Sequence, residues 1–450
     1  MMMTTGDDEL KFLATVFLCR ALSFAGRLVG KGTDLPGRAA LKLYPHVMKR
    51  IRFKGRVICV TGSNGKTTTS NMIADMLRSR GYSVLNNAKG SNLTSGICVT
   101  LLNGCRLNGD IEHDFVVLEV DECFARFIFE DIRVDYFLIL NLLRDQVVRN
   151  GNPDLVFEKL KKAISLQPEM RLILNGNDPL SLPLREASSH EPVYFEMERT
   201  ERSTDECISG TNDCKVCPHC FSKLKFDFFH YNHLGAFYCE SCGYKTPEPD
   251  YFGSSVDFEA QRIDINGIRM NVSFNTTFNM FNVVSAAAAC CTASDMTLEE
   301  FAANIGGFQI AGDRLNEFYF EGRKVVLMMT KQNAASVDQS ILYALEQPVE
   351  KSIVLFLNNI LYLNYKDVSW YYDVAFERLS GKVENILCMG ERALDAAVCL
   401  ETAGIDRNII IYENDLDKTR EAFRKTKGDI YILAASAFGH EGRILEALKK

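Results

Sequence analysis

Apolar residues in this chain gather in short β-rich runs set between stretches of helical period. Residues 54–60 (KGRVICV) form the first run. After a glycine-rich loop, residues 71–80 place Met72, Ile73, Met76 and Leu77 on one helical face, and Gly81 stops that helix. Residues 82–85 read as the next strand. Strand, glycine loop, helix and strand make a βαβ unit, so a parallel sheet with helices on its faces is expected. Residues 115–120 (FVVLEV), 136–140 (YFLIL) and 172–174 continue the buried strands. From about residue 191 to 258 the pattern breaks. Charge, cysteine and aromatics rise there and helical period vanishes, as in an insertion. An alanine-rich helix follows over 281–293. A second αβ alternation begins at Lys324 and runs through VVLMM, SIVLFLN, ENILCM, NIIIY and DIYILAA. Its roughly 125 residues are the size of a separate α/β domain.

At 450 residues the chain exceeds one ordinary core and favours two to three domains. Its first stretch is apolar over residues 12–19 (FLATVFLC), but Lys11, Arg20, Arg27 and Lys31 run through and beyond it. A signal peptide carries its charges before the apolar stretch, and a membrane span needs about 18–20 uninterrupted apolar residues. An amphipathic helix fits better. Two readings stand for it: a helix packed on the first domain, or one resting on a membrane surface.

Composition narrows the function classes. An apolar share of 47% with 24% charged residues excludes a largely disordered chain. Fifty-one basic against 58 acidic residues, a net charge of −7, argue against a general electrostatic nucleic-acid binder. The fifteen cysteines are dispersed, unlike those of a small secreted disulfide scaffold. Cys59, Cys98, Cys290, Cys291 and Cys388 lie in apolar runs and read as buried core residues of a reducing cytosol.

The strongest local signal is Thr61-Gly62-Ser63-Asn64-Gly65-Lys66-Thr67-Thr68. A glycine-rich loop at a helix N-terminus cradles phosphate oxygens with backbone N–H groups. Lys66 would reach the β- and γ-phosphates, and the Thr67 hydroxyl would ligate Mg²⁺. The general pattern GxxxxGK[ST] would put its first glycine at position 60, which is Val60, so a tighter variant stands here. Leu118-Glu119-Val120-Asp121-Glu122 ends a buried strand, where carboxylates lie beside such a loop. Mg²⁺ takes one or two carboxylates, and Glu119 is the choice for it.

Cys217-x2-Cys220 and Cys239-x2-Cys242, with 18 residues between the pairs, have the spacing of a tetrahedral four-cysteine zinc site of structural type. Cys214, His219, His230 and His233 are nearby alternatives. Residues 175–179 and Gly312-Asp313-Arg314 are turns by composition. Asp367-Val368-Ser369-Trp370 holds the one tryptophan; taken alone, Asp367 reads as the N-cap of a helix over 370–378.

TGSNGKTTT with LEVDE, NLLRDQ and LNGNDP resembles the Mur ligase superfamily, ATP-dependent ligases that activate a carboxylate as an acyl phosphate for attack by an amine. The segments DLPG, NAKGSN, the four-cysteine insertion, FNMFNVVSAAAA and DVSW extend the resemblance over nearly the whole chain, to the MurT branch. That resemblance implies a three-domain α/β fold. A helical segment over 1–50 would pack on a central P-loop domain over 51–315, with a zinc-ribbon insertion over 200–255. A Rossmann-like, MurT-type domain would follow over 316–450. It further implies a carbon–nitrogen ligase subunit using ATP and Mg²⁺. Such a subunit amidates the α-carboxylate of D-isoglutamate in lipid II with ammonia from a GatD-like class I glutaminase, in the cytoplasm or at the inner face of the membrane. Lys66, Thr67 and Glu119 would serve phosphate and metal, and Gly62 to Thr68 with Asn282 and Arg314 the nucleotide. Asn92 and Asp145 would lie on the substrate or metal side. Asp367 would complete the partner's Cys–His pair.

The terminal domain departs from the family in places. Asn364-Tyr365-Lys366 replaces an Asp-Gly-Arg run, Lys331-Gln332-Asn333 a Lys-Asn-Pro run, and Ala434-Ala435-Ser436-Ala437 a Thr-Tyr-Thr-Ala ending. Two rivals remain: a stand-alone Mur- or folylpolyglutamate-type amino-acid ligase, and a non-catalytic scaffold that binds nucleotide.

Overall fold

Two mainly parallel sheets organise the chain in the computed structural model, which describes residues 6–28, 34–88, 91–309, 315–359 and 367–435. The larger sheet has nine strands. From one edge they run Ile268–Asn271, Arg262–Ile265, Tyr251–Asp257, Val193–Met197, Arg171–Asn175, Tyr136–Ile139, Arg56–Thr61, Phe115–Glu119 and Val84–Asn86. The first two pairings are antiparallel and the other six parallel. Helices cover both faces, so the central strands are buried on both sides and read as continuous apolar runs. Phe115–Glu119 is buried at every position.

The helix Lys66–Ser79 packs on the alanine-rich helix Thr277–Ala293. Ala286 to Ala289 have no solvent exposure, and their small side chains let the two helices approach closely. On the opposite face the N-terminal helix Gly6–Leu28 lies against Leu35–Leu43 and Thr94–Gly104. It buries Phe12, Val16 and Cys19 there. The Arg20 guanidinium donates to the carbonyls of Leu102, at 3.1 Å, and Cys105, and so caps the C-terminal end of Thr94–Gly104. No described helix is long and apolar enough to cross a membrane.

The smaller sheet runs Leu315–Phe320, Arg323–Met329, Asp429–Ala434, Lys351–Phe356, Ile386–Met389 and Ile410–Glu413, parallel after the first hairpin. Residues 370–378 differ from the sequence reading. They form two 3-10 turns, Ser369–Asp373 and Phe376–Leu379, in place of a helix. Trp370, Tyr371, Tyr372 and Val374 are all side chains that lose rotamer freedom in a helix. Asp367 accepts a hydrogen bond from Ser369 N at 2.8 Å, a local turn rather than a helix cap.

The cysteine-bearing stretch also resolves. Val193–Met197 and Tyr251–Asp257 are neighbours in the larger sheet, and the hairpin Lys225–Tyr231 with Leu234–Tyr238 lies between them in sequence. Cys59, Cys98, Cys290 and Cys388 are buried, and Cys291 is half-buried.

Candidate active site

The strand Arg56–Thr61 delivers its loop to the start of the helix Lys66–Ser79. Gly65 has φ +90°, and a Cβ there would meet Asn282 Oδ1 at 2.3 Å, so only glycine lets Asn282 lie over the loop. The segment after Tyr136–Ile139 bolts the loop from below. Ser63 N donates to Asn141 O and Asn64 N to Asn141 Oδ1, both at 2.9 Å. Ser63 Oγ accepts from Leu143 N at 2.8 Å. Ser63 and Asn64 therefore turn their N–H groups to the protein. Phosphate is left to the N–H groups that open the helix at Lys66, Thr67 and Thr68, which have no intrahelical acceptor.

Lys66 is 6% exposed, and its Nζ donates to Gly62 O at 2.5 Å and Glu122 Oε1 at 2.7 Å. Burial pulls the ammonium's pKa down, but Glu122, Asp121, Asp145 and Glu119 together more than offset that and hold it above its ordinary value. Burial pushes the Glu122 carboxyl up while Lys66 pulls it back. With three further carboxylates holding the proton on Lys66, we take the pair as ionised.

Glu119 is 2% exposed. Asn92 Nδ2 donates to its Oε1 at 2.7 Å, and Asn87 bonds its backbone on both sides at 2.8 and 2.9 Å. Its Oε2 is buried without a hydrogen-bond partner. An orphaned carboxylate oxygen beside a phosphate loop suits a hard cation such as Mg²⁺. The three acids of the LEVDE segment thus divide. Glu119 keeps an oxygen for a cation, Glu122 pairs with Lys66, and Asp121 pairs with Arg149 at 2.8 Å. Sequence reasoning missed Glu122; the available signal was that a buried lysine needs a counter-ion.

The smaller sheet reaches this site. Lys331 Nζ donates to Ser63 O at 2.6 Å, and Asn333 Nδ2 to Asn64 Oδ1 and Asp145 Oδ1, each at 3.2 Å. Asp145 is thereby gathered with the phosphate loop, as are Asn92 and Asn282. Arg314 lies outside the described residues, as do Gly312, Asp313 and 364–366. Asp367 stands apart, on the exposed rim of a cleft of about 330 Å³. Arg144, Arg149 and Asn152 line one side of it and Gln332, Trp370 and Asp373 the other.

The four cysteines converge. All four sulfurs lie within 4.8 Å of one another, and Cys217–Cys242 and Cys220–Cys239 are each 3.5 Å apart. Zinc with Zn–S bonds of about 2.3 Å would set tetrahedral edges near 3.8 Å, so the set fits that ion. The two knuckles match: Cys217 N bonds Ser222 O, Cys239 N bonds Tyr244 O, and Phe221 and Gly243 occupy equivalent positive-φ positions. The alternatives go elsewhere. His230 bonds Ser203 and Met197 O, Cys214 bonds Val216 O, and His233 meets Asp178 at 3.0 Å with both fully buried. His219 stacks edge-on against Tyr244.

The insertion ties the other parts together. Asp178 holds His233 of the insertion and accepts from Leu142 N at 2.8 Å beside the phosphate loop. Arg144 meets Asp213 of the insertion at 3.4 Å and Asp373 of the cleft at 3.2 Å.

Residues 60–238 match the Mur ligase middle domain, and residues 330–437 match the MurT ligase C-terminal domain. The lipid II isoglutaminyl synthase (glutamine-hydrolyzing) subunit MurT of Staphylococcus aureus N315 is 29% identical over 97% of this chain and 97% of its own. The chain thus joins a Mur ligase middle domain to a MurT-type C-terminal domain and is similar to MurT subunits along its length. The MurT subunit of Streptococcus pneumoniae R6 is 26% identical over 95% of each chain. Among solved structures, a pseudomurein peptide ligase type C from Methanothermus fervidus superposes with a TM-score of 0.66. It is 19% identical and covers 90% of this chain and 80% of its own, which shows the shared fold. Mur ligases use ATP and Mg²⁺, and the loop described above sets a buried lysine beside a buried carboxylate oxygen without a partner.

Proposed function

We propose that this chain is the synthetase subunit of a lipid II isoglutaminyl synthase. It would transfer the γ-phosphoryl group of ATP to the α-carboxylate of D-isoglutamate in lipid II. Ammonia would then attack the acyl carbon, and phosphate would leave, giving D-isoglutamine. The observation that carries this reading is the convergence of Lys66, the orphaned Glu119 oxygen, Asn282 and Asp145 with Lys331 and Asn333 on one loop, in a chain aligned end to end with MurT subunits. Lys66 and the helix-opening N–H groups would hold the transferring phosphoryl group, where fixed charge is worth most. Thr67 and Glu119 would hold Mg²⁺, which neutralises charge on the phosphates when bound. Lys331 and Asn333 draw the domain of the smaller sheet onto the loop.

Asp367 serves a different purpose in this reading. Its exposed carboxylate on the cleft rim would orient the histidine of a class I glutaminase subunit, the source of ammonia. The four-cysteine site would hold zinc structurally and fix the insertion that contacts both the loop and the cleft. A lipid-linked acceptor would be met at a bilayer surface.

Oxygen-18 placed in the acceptor carboxylate tests the chemistry. Label should appear in the released inorganic phosphate in step with amide formation. Label retained wholly in the amidated product and water would sink the acyl-phosphate reading.

A further inference from the structure

The N-terminal helix Gly6–Leu28 buries one face and leaves the other bare. Leu10, Phe17 and Phe24 sit one heptad apart on that outer face, and are 68%, 57% and 68% exposed. Ala14 and Ala21 fill the gaps between them, and Leu18 widens the stripe. At 100° per residue these six positions fall within about 120° of arc, and the one polar residue inside it is Asp7 in the first turn of the helix. The opposite arc carries Phe12, Val16 and Cys19, the residues packed on the body. A helix apolar on both sides yet docked on one has a second partner to meet.

Charge identifies that partner. From the start of the helix to residue 50 the chain contains eight Lys or Arg against four Asp or Glu, a local excess of positive charge in a chain whose net charge is −7. Arg38, Lys42 and Lys49 are exposed on the segment that follows the helix. The basic, aromatic end of an otherwise acidic protein complements an anionic bilayer, where Phe and Leu enter the acyl boundary and cations meet lipid phosphates. A second copy of the chain is a poorer occupant. Six side chains, two of them alanine, fall well short of the roughly 20–30 residues a side of a stable dimer. Two copies would also bring like-charged segments together.

We infer that this outer face is a membrane-docking surface for anionic phospholipid. It would hold the chain in the bilayer interface without crossing it. Binding of this kind is independent of ATP and of any acceptor, so it stands or falls separately from the ligase reading.

Sedimentation of the full chain with vesicles tests it. The chain should pellet with phosphatidylglycerol–phosphatidylcholine vesicles and stay in solution with pure phosphatidylcholine. The double variant Phe17→Ser, Phe24→Ser should bind the anionic vesicles at least tenfold more weakly. Both side chains are exposed, so its melting temperature should match the parent's. In a second measurement, Phe24→Trp should shift its emission to the blue on anionic vesicles. Unchanged emission, or full vesicle binding by the double variant, would overturn the proposal. So would a parent dimer that the double variant converts to monomer, since that outcome assigns the face to a second copy.

Discussion

The phosphate-loop end of the larger sheet and the cleft around Asp367 both present carboxylates, in opposite conditions. Glu119 and Glu122 are buried, and each is held by named side chains, Asn92 for one and Lys66 for the other. Asp367 is exposed and accepts a hydrogen bond from Ser369 N two residues along. The first arrangement is preorganised, with its charges aimed before substrate arrives. The second is open to solvent, and in the proposed reading its carboxylate acts only when a glutaminase subunit covers it. Between the two, Arg144 joins the insertion to the cleft wall and Asp178 joins the insertion to the loop.

The comparison can be broken most sharply at Lys66. Lys66→Ala should lower ATP-dependent amidation by about 10³-fold or more, roughly 4 kcal/mol of transition-state stabilisation, whether ammonium or glutamine supplies nitrogen. Equal turnover in variant and parent would remove the loop from the mechanism. At Asp367 the sources should part. Asp367→Asn, assayed with the glutaminase subunit present, should lower the glutamine-driven rate by about a hundredfold and leave the ammonium-driven rate within about twofold. Equal loss with both would place Asp367 in the synthetase site instead.

The link between the regions should respond to zinc. The purified chain should carry one zinc, lost in Cys239→Ser, and that variant should melt lower and lose activity with both nitrogen sources. A metal-free chain that melts like the parent would leave the insertion without a metal role.

The smallest effect concerns Asp338, on the helix Ala334–Glu346 behind the cleft. It accepts from Ala375 N at 2.9 Å, and burial pushes its carboxyl up to about 7 from an ordinary 3.8. The folded chain keeps a proton there that the unfolded chain releases. Its contribution to stability is full below pH 4, declines as pH rises towards 7, and is level above. Asp338→Asn keeps an acceptor for Ala375 and should flatten the fall in melting temperature between pH 4 and 7, by an amount worth at most a few kcal/mol. A fall of unchanged slope would assign it to other groups.

Strand, loop and helix around Lys66 were legible because glycine spacing and apolar runs there are set by local chemistry. The cysteine pairs were legible because a tetrahedral ion demands that spacing. Other features depend on residues far apart in sequence. Glu122 as the partner of Lys66, Asn141 as the clasp of Ser63 and Asn64, and Lys331 reaching Ser63 across 268 positions follow from the packed fold alone. The turns at 369–379 were misread as a helix because local pattern gave no weight to the aromatic crowding of Trp370, Tyr371 and Tyr372. The outer face of the first helix was half-legible: its amphipathic period was plain, but which face would be bare was not.

The most direct test is mass spectrometry of lipid II incubated with this chain alone, ATP, Mg²⁺ and ammonium. A phosphate-loop site complete in itself predicts conversion of the D-isoglutamate carboxylate to the amide without a glutaminase subunit, and none when ATP is withheld. Unchanged lipid II in the presence of ATP and ammonium, from a chain that still binds ATP, would contradict the account.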